Sequence, residues 1–174
     1  MQHVPVLLIS GPVGVGKTST AEEVSNVLVR EGVSHTLLDL DCLAETYPRP
    51  TGDRFGSELM RTNLTSVWRN CVAAGSRNLV LARVIEDEAD LAGILSCIPN
   101  AAPTLCQLRA RDDILIERVR RREIGTGGAW HEARSLELSA SLRQHAPGDI
   151  WIDTDGRSVV DIAEELAAQV SWTP

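Results

Sequence analysis

The sequence predicts an α/β fold built on a parallel sheet, and three observations carry that prediction. A continuous apolar run, Val4 to Ser10, leads into a glycine-rich turn and then into an apolar pattern of helical period. Strand-length and helix-length apolar segments go on alternating to the end of the chain, with no internal repeat. The 174 residues, 43% apolar and 24% charged, suit a single domain spanning residues 1–174.

The run Val4 to Ser10 reads as a strand buried on both faces. From Thr18, the apolar positions Ala21, Val24, Val27 and Leu28 describe a helix that stops at Gly32. His35 to Leu40 is the second strand; Leu64, Val67, Trp68, Cys71 and Val72 mark a helix closed by Gly75; Asn78 to Ile85 is the third strand. Asp87 caps a helix carrying Leu91, Ile94, Leu95 and Ile98. Thr104 to Leu108 is the fourth strand, and Asp112 opens another helix. Ile150 to Asp153 is the last strand, and Ser158 with Asp161 forms a capping-box-like start to a helix that turns Val159, Ile162, Leu166 and Val170 inward. Two stretches fall outside this alternation. They are Cys42 to Gly56 and Glu123 to Gly148, and mobile substrate-facing pieces are expected there, with a plain surface excursion as the alternative.

A net charge of −7 repels nucleic acid and anionic membrane, so an anionic ligand must be held by a local positive cluster. A small-molecule partner is expected, with neither nucleic acid nor membrane, in a monomer or homodimer. The four cysteines contain no C-x-x-C pair, and the amino terminus lacks the pattern of a secretory signal. A cytoplasmic protein is the simplest expectation.

The sharpest motif is Gly11-x-x-x-x-Gly16-Lys17-Thr18, a Walker A pattern lying between a buried strand and a helix. Such a loop curls so that successive N–H groups point at phosphate oxygens, with the positive helix end behind them. The nucleotide-binding set is therefore Gly11, Pro12, Val13, Gly14, Val15, Gly16, Lys17, Thr18 and Ser19. Lys17 serves the β- and γ-phosphates and Thr18 the Mg²⁺. No Asn-Lys-x-Asp segment for guanine occurs, which favours ATP, and the strand from Asn78 carries Arg83 where motor-type ATPases place an acidic residue. Arg83 suits an anionic or polar acceptor, with an ion pair to Glu86 as its other reading.

Asp39-Leu40-Asp41 closes the second strand, so the two carboxylates should point to opposite sides of the pleat. Asp41 is favoured to orient or deprotonate an acceptor hydroxyl and to help hold Mg²⁺, with Asp39 in support or capping the turn. Six arginines lie between Arg109 and Arg122 in a chain of negative total charge. Arg118 and Arg122 share one helical face and can clamp phosphates; pairing with Asp112, Asp113 and Glu117 is the alternative.

These residues resemble the small-molecule kinases with a phosphate loop, a group that includes shikimate, gluconate, adenylylsulfate and nucleoside monophosphate kinases and chloramphenicol phosphotransferases. The likeness rests on Gly11 to Thr18, on Leu38-Asp39-Leu40-Asp41, on Leu115-x-x-Arg118-x-x-x-Arg122, and on Ile152-Asp153-Thr154-Asp155-Gly156. It implies a three-layer P-loop nucleoside triphosphate hydrolase fold with strand order 2-3-1-4-5. ATP with Mg²⁺ is the implied phosphoryl donor, Asp155 and Gly156 border the adenine, and a lid runs from about 123 to 148. The implied acceptor site uses the segment from about 42 to 62, with Asp39, Asp41, Arg54, Arg61 and Arg83 as substrate contacts. Arg134, inside the lid, is a second phosphate clamp. For Trp130 and His131, substrate contact and structural packing both stay open. The function expected is transfer of the ATP γ-phosphoryl group to a small-molecule hydroxyl or phosphate, the alternative being an ATP-gated binding protein or slow NTPase.

Overall fold

The computed structural model describes residues 3–53, 55–122 and 128–174. Strands β1 (Val4–Ser10), β2 (His35–Asp39), β3 (Asn78–Ala82), β4 (Ala101–Arg109) and β5 (Ile150–Asp153) form one sheet. Its order is β2-β3-β1-β4-β5, with every neighbouring pair parallel, the order that the family resemblance implies. Around it lie helices α1 (Lys17–Arg30), α2 (Leu40–Ala44), α3 (Ser57–Ala73), α4 (Glu88–Leu95), α5 (Asp112–Arg122), α6 (Gly128–His145) and α7 (Val159–Val170).

The pleat explains the three layers. Leu7 and Ile9 of β1 join a core with Val24 and Leu28 of α1 and Ile162 and Leu166 of α7. Val6 and Leu8 point the other way and meet Leu40, Met60, Leu64, Trp68 and Ile94 of α2, α3 and α4. A central strand must be apolar at every position to serve both layers, and the last five residues of β1 are all buried.

Several boundaries differ from the sequence expectation for identifiable reasons. Strand β2 ends at Asp39 rather than Leu40, because Asp39 becomes the cap of α2 and its Oδ1 accepts from the Asp41 N–H at 3.0 Å. Helix α3 begins at Ser57, well before Leu64, since Asp53 Oδ2 accepts from the N–H groups of Glu58 and Leu59 at 3.0 and 3.1 Å. Strand β3 stops at Ala82, after which the Ile85 N–H turns to the buried Ser10 hydroxyl at 2.9 Å. At α7, Ile162, Ala163, Leu166 and Ala167 are buried, whereas Val159 is 39% exposed.

Strand β4 begins at Ala101 and runs through Pro103, a residue that argues against a strand in the sequence. Leu105 sends both its carbonyl and its N–H toward Asp149, on the β5 side. Pro103, two residues earlier, faces the same side, and β5 pairs only from Cys106 onward. A donor is missing there, and none is needed.

Candidate active site

The loop between β1 and α1 is pressed against its surroundings. A Cβ at Gly11 would lie 2.5 Å from the Leu108 carbonyl oxygen. At Gly14, where φ is +84°, a Cβ would lie 2.8 Å from Val119 Cγ2 and 3.1 Å from the Leu115 carbonyl oxygen of α5. The Val13 carbonyl accepts from Ser135 Oγ of α6 at 2.6 Å, and the Val15 carbonyl accepts from Arg118 at 3.3 Å. The loop is thus held from three directions while α1 starts behind it at Gly16 with no acidic residue in its first turn.

Lys17 donates to the carbonyls of Gly11 at 3.0 Å and Pro12 at 3.1 Å. Burial pushes its ammonium down from the usual 10.5 to about 8, opposed by the Asp41 and Asp39 carboxylates and reinforced by the Arg122 charge. The Thr18 hydroxyl donates to Asp39 Oδ2 at 2.8 Å. Asp41 lies in the first turn of α2, where the strand alternation no longer applies, so both carboxylates line the same cleft. Asp41 Oδ1 accepts from Arg83 at 3.1 Å, and Arg83 also reaches Ser57 Oγ at 3.4 Å. The direct contact to Thr18 is therefore made by Asp39, and the partner of Arg83 is Asp41 rather than Glu86.

Arg118 joins the loop to the far side of the sheet. It donates to Thr154 Oγ1 at 2.8 Å and to the Thr154 carbonyl at 3.1 Å, just beyond β5. Arg122 lines the cleft one turn further along α5. Asp155 receives the Arg111 N–H and lies 3.3 Å from the Arg111 guanidinium; Gly156 follows with φ +68°. Arg134 pairs with Glu86 and, at 2.9 Å, with Glu137, and stacks over Phe55 at 5.7 Å. Arg61 pairs with Glu58 and packs on Gly93, outside the residues that line the cleft. Arg54 and residues 123–127 of the expected lid lie outside the described residues. The rest of that segment is largely α6, in which Ser135, Leu138, Ser139 and Leu142 are buried.

The cleft has a volume of about 800 Å³. Strand order divides it. On the β5 side it is walled by Thr154, Arg157, Val159 and Ile162; on the β2–β3 side by Asp39, Asp41, Cys42, Ala44, Glu45, Arg49, Phe55 and Val84. Arg118, Arg122, Trp130 and His131 enter from the α5–α6 side, with Trp130 and His131 edge to face at 4.9 Å. Sequence reasoning missed Ser135, Thr154, Arg157, Glu45 and Arg49. Ser135 gave a usable signal, a small polar residue on the buried stripe of a helix; the others become visible only when β5 and α2 are set beside the loop.

Among the described residues, no group of three or more His, Cys, Asp or Glu forms a metal centre, and no helix is long and apolar enough to cross a membrane. No protein-family model matches the sequence, nor does any curated protein. Solved structures do match. The tunicamycin resistance protein of Deinococcus radiodurans superimposes with a TM-score of 0.65 at 23% identity, covering 98% of each chain. The APS kinase of Mycobacterium tuberculosis, solved with AMPPNP and APS, gives 0.66 at 20% identity, covering 99% of this chain and 100% of that one. A gluconokinase from Sinorhizobium meliloti gives 0.64 at 15% identity, covering 98% and 94%. With its five parallel strands in the order 2-3-1-4-5 and its phosphate loop after the central strand, the chain has the fold of the P-loop small-molecule kinases.

Proposed function

We propose that the chain is an ATP-dependent phosphotransferase that moves the γ-phosphoryl group to a hydroxyl of a small molecule. The observation that carries this reading is the convergence of Lys17, Thr18 and Asp39 at the carboxyl ends of β1 and β2, with Asp41 on the same cleft wall. A helix start without acidic residues, a glycine-rich loop closely packed at its base and a buried ammonium make a site for polyphosphate. The likeness to a kinase solved with AMPPNP supports nucleotide as the occupant.

The donor set fits a magnesium ion. Thr18 and Asp39 offer hard oxygens, and a site with so few protein ligands suits an ion that keeps most of its waters. Bound there, the ion would neutralise charge on the phosphates. The chain's own groups have separate tasks. Loop N–H groups from Val13 to Lys17 hold phosphate oxygens, and protonated Lys17, with Arg118 and Arg122, stabilises the charge that develops on transfer. Arg118 is presented by Thr154 and Val15, which fixes its guanidinium without consuming its charge. Asp41, steadied by Arg83, faces the acceptor side and orients the attacking hydroxyl. That oxygen bonds to the γ-phosphorus, the bond to the β,γ-bridging oxygen breaks, ADP departs with the electron pair, and the hydroxyl proton passes to the carboxylate.

Titration calorimetry with Mg·ATP and Mg·GTP tests the first half. Binding by the native chain and its loss in Lys17→Ala supports the reading; equal heats from both proteins reject it. Appearance of ADP only when an alcohol is added tests the second half.

A further inference from the structure

Two consecutive residues of α6 hold different parts of the structure. Ser135, fully buried, donates to the Val13 carbonyl of the phosphate loop at 2.6 Å. Arg134 points about 100° round the helix from it. Its guanidinium lies between Glu86 and Glu137 and covers Phe55 at 5.7 Å, with 18% of the side chain exposed. Neither Arg134 nor Glu86 lines the cleft. A guanidinium already matched by two carboxylates must break those pairs before it can serve a phosphate.

Glu86 is itself a fixed point. It lies in the turn after β3, where the Ile85 N–H donates to the buried Ser10 hydroxyl at 2.9 Å and Arg83 pairs with Asp41 at 3.1 Å. Gln107 of β4, 1% exposed, adds an inner tie: its Nε2 donates to the Pro147 carbonyl, past the end of α6, at 2.9 Å and reaches the Ile85 carbonyl at 3.5 Å. The turn after β3 therefore holds α6 along its length through Arg134 and beyond its end through Gln107. A hydrogen-bonded helix shifts as one piece, so whatever places residue 134 also places residue 135. The contact from Ser135 to Val13 depends on both distance and angle and weakens when the helix slides or turns.

Resting on the reading of the loop as a nucleotide site, we infer that Arg134 is a positioning residue. Its pair with Glu86 sets α6 so that Ser135 holds the Val13 carbonyl, and nucleotide affinity thereby depends on an ion pair outside the cleft. A phosphate clamp would have the opposite relation to Glu86, because release from that carboxylate would free the guanidinium for phosphate and tighten binding.

Titration calorimetry of the full chain with Mg²⁺ and a non-hydrolysable ATP analogue tests this in the native protein, Glu86→Gln, Ser135→Ala and the double variant. Glu86→Gln keeps the size of the side chain and should weaken binding about fivefold. In the Ser135→Ala background the same change should cost less than about twofold, because the link through which it acts is gone. Tighter or unchanged binding in Glu86→Gln overturns the inference, and so do losses that simply multiply in the double variant. Arg134→Met keeps an apolar stem over Phe55 and should repeat the Glu86→Gln loss; native affinity there overturns the inference as well. Hydrogen exchange at Val13 to Gly16 needs no nucleotide. Glu86→Gln should speed it about as much as Ser135→Ala does, and native-like rates overturn the inference. Absence of heat with the native chain rejects the nucleotide reading, and the exchange rates then decide the role of Arg134 by themselves.

Discussion

Thr18 Oγ1 donates to Asp39 Oδ2 across 2.8 Å, tying the first turn of α1 to the end of β2. The other oxygen of the same carboxylate caps α2 by accepting from the Asp41 N–H at 3.0 Å. One side chain therefore fixes both the Thr18 hydroxyl and the start of the helix that carries Asp41.

Asp39→Asn keeps an oxygen for the cap but removes the negative charge and one acceptor oxygen. Transfer should fall by about a hundredfold or more while Mg·ATP affinity changes by only a few-fold, and raised Mg²⁺ should restore part of the rate. Asp41→Asn should lose transfer without that restoration. A rate titration against Mg²⁺ separates the two, and identical responses would remove the division of labour proposed between them.

Lys17 should make the proposed nucleotide binding dependent on pH. Its ammonium titrates near 8 in the folded chain and near 10.5 unfolded, so between those values the unfolded state binds more protons and stability rises with pH. A bound polyphosphate restores the charged form. Binding at pH close to 8 should take up about half a proton, seen as a buffer-dependent calorimetric enthalpy that vanishes when the measurement is made about two pH units lower, where Lys17 is already protonated.

Much of this was legible beforehand. The phosphate loop and most elements follow from apolar period and glycine placement, because these are local signals, whereas the strand order came only through the family resemblance. The start of α3 was also written locally, in Asp53, but the proline and glycine around it masked the cap. What could not be read was which carboxylate meets Thr18, since that turns on a single residue's choice between strand and helix at Leu40. Nor could the pairing of Arg83 with Asp41 or of Arg134 with Glu86 be read, because each joins residues more than forty positions apart in the chain.

Gly14→Ala places a methyl against Val119 and forces a residue with a side chain to φ +84°. The expected cost is about 1–3 kcal/mol in urea unfolding, together with a marked loss of ATP binding. Val119→Ala should recover part of the stability but not the conformational strain, which a double-variant cycle would resolve.

Ser135→Ala strips the Val13 carbonyl of its donor inside the fold, where Ser135 is fully buried. Stability should drop by about 1–2 kcal/mol. Hydrogen exchange at Val13 to Gly16 should speed up more than elsewhere in β1; uniform acceleration would mean that the contact only packs α6.

Arg118→Lys keeps a positive charge but cannot reach Val15 and both atoms of Thr154 together. The Michaelis constant for ATP should rise about tenfold, and the turnover number should fall as well because the same group meets developing charge. Thr154→Val, which removes only the hydroxyl partner, should raise the Michaelis constant with little change in turnover.

Pro103 carries a consequence for crowded solutions. The start of β4, before Asp149 takes up Leu105 and β5 pairs from Cys106, is a short open edge on which an incoming strand could begin to pair. With a ring where an N–H should stand, that edge is interrupted on the flank of the sheet. Replacing it with valine should leave the fold intact and shorten the lag before fibrils form.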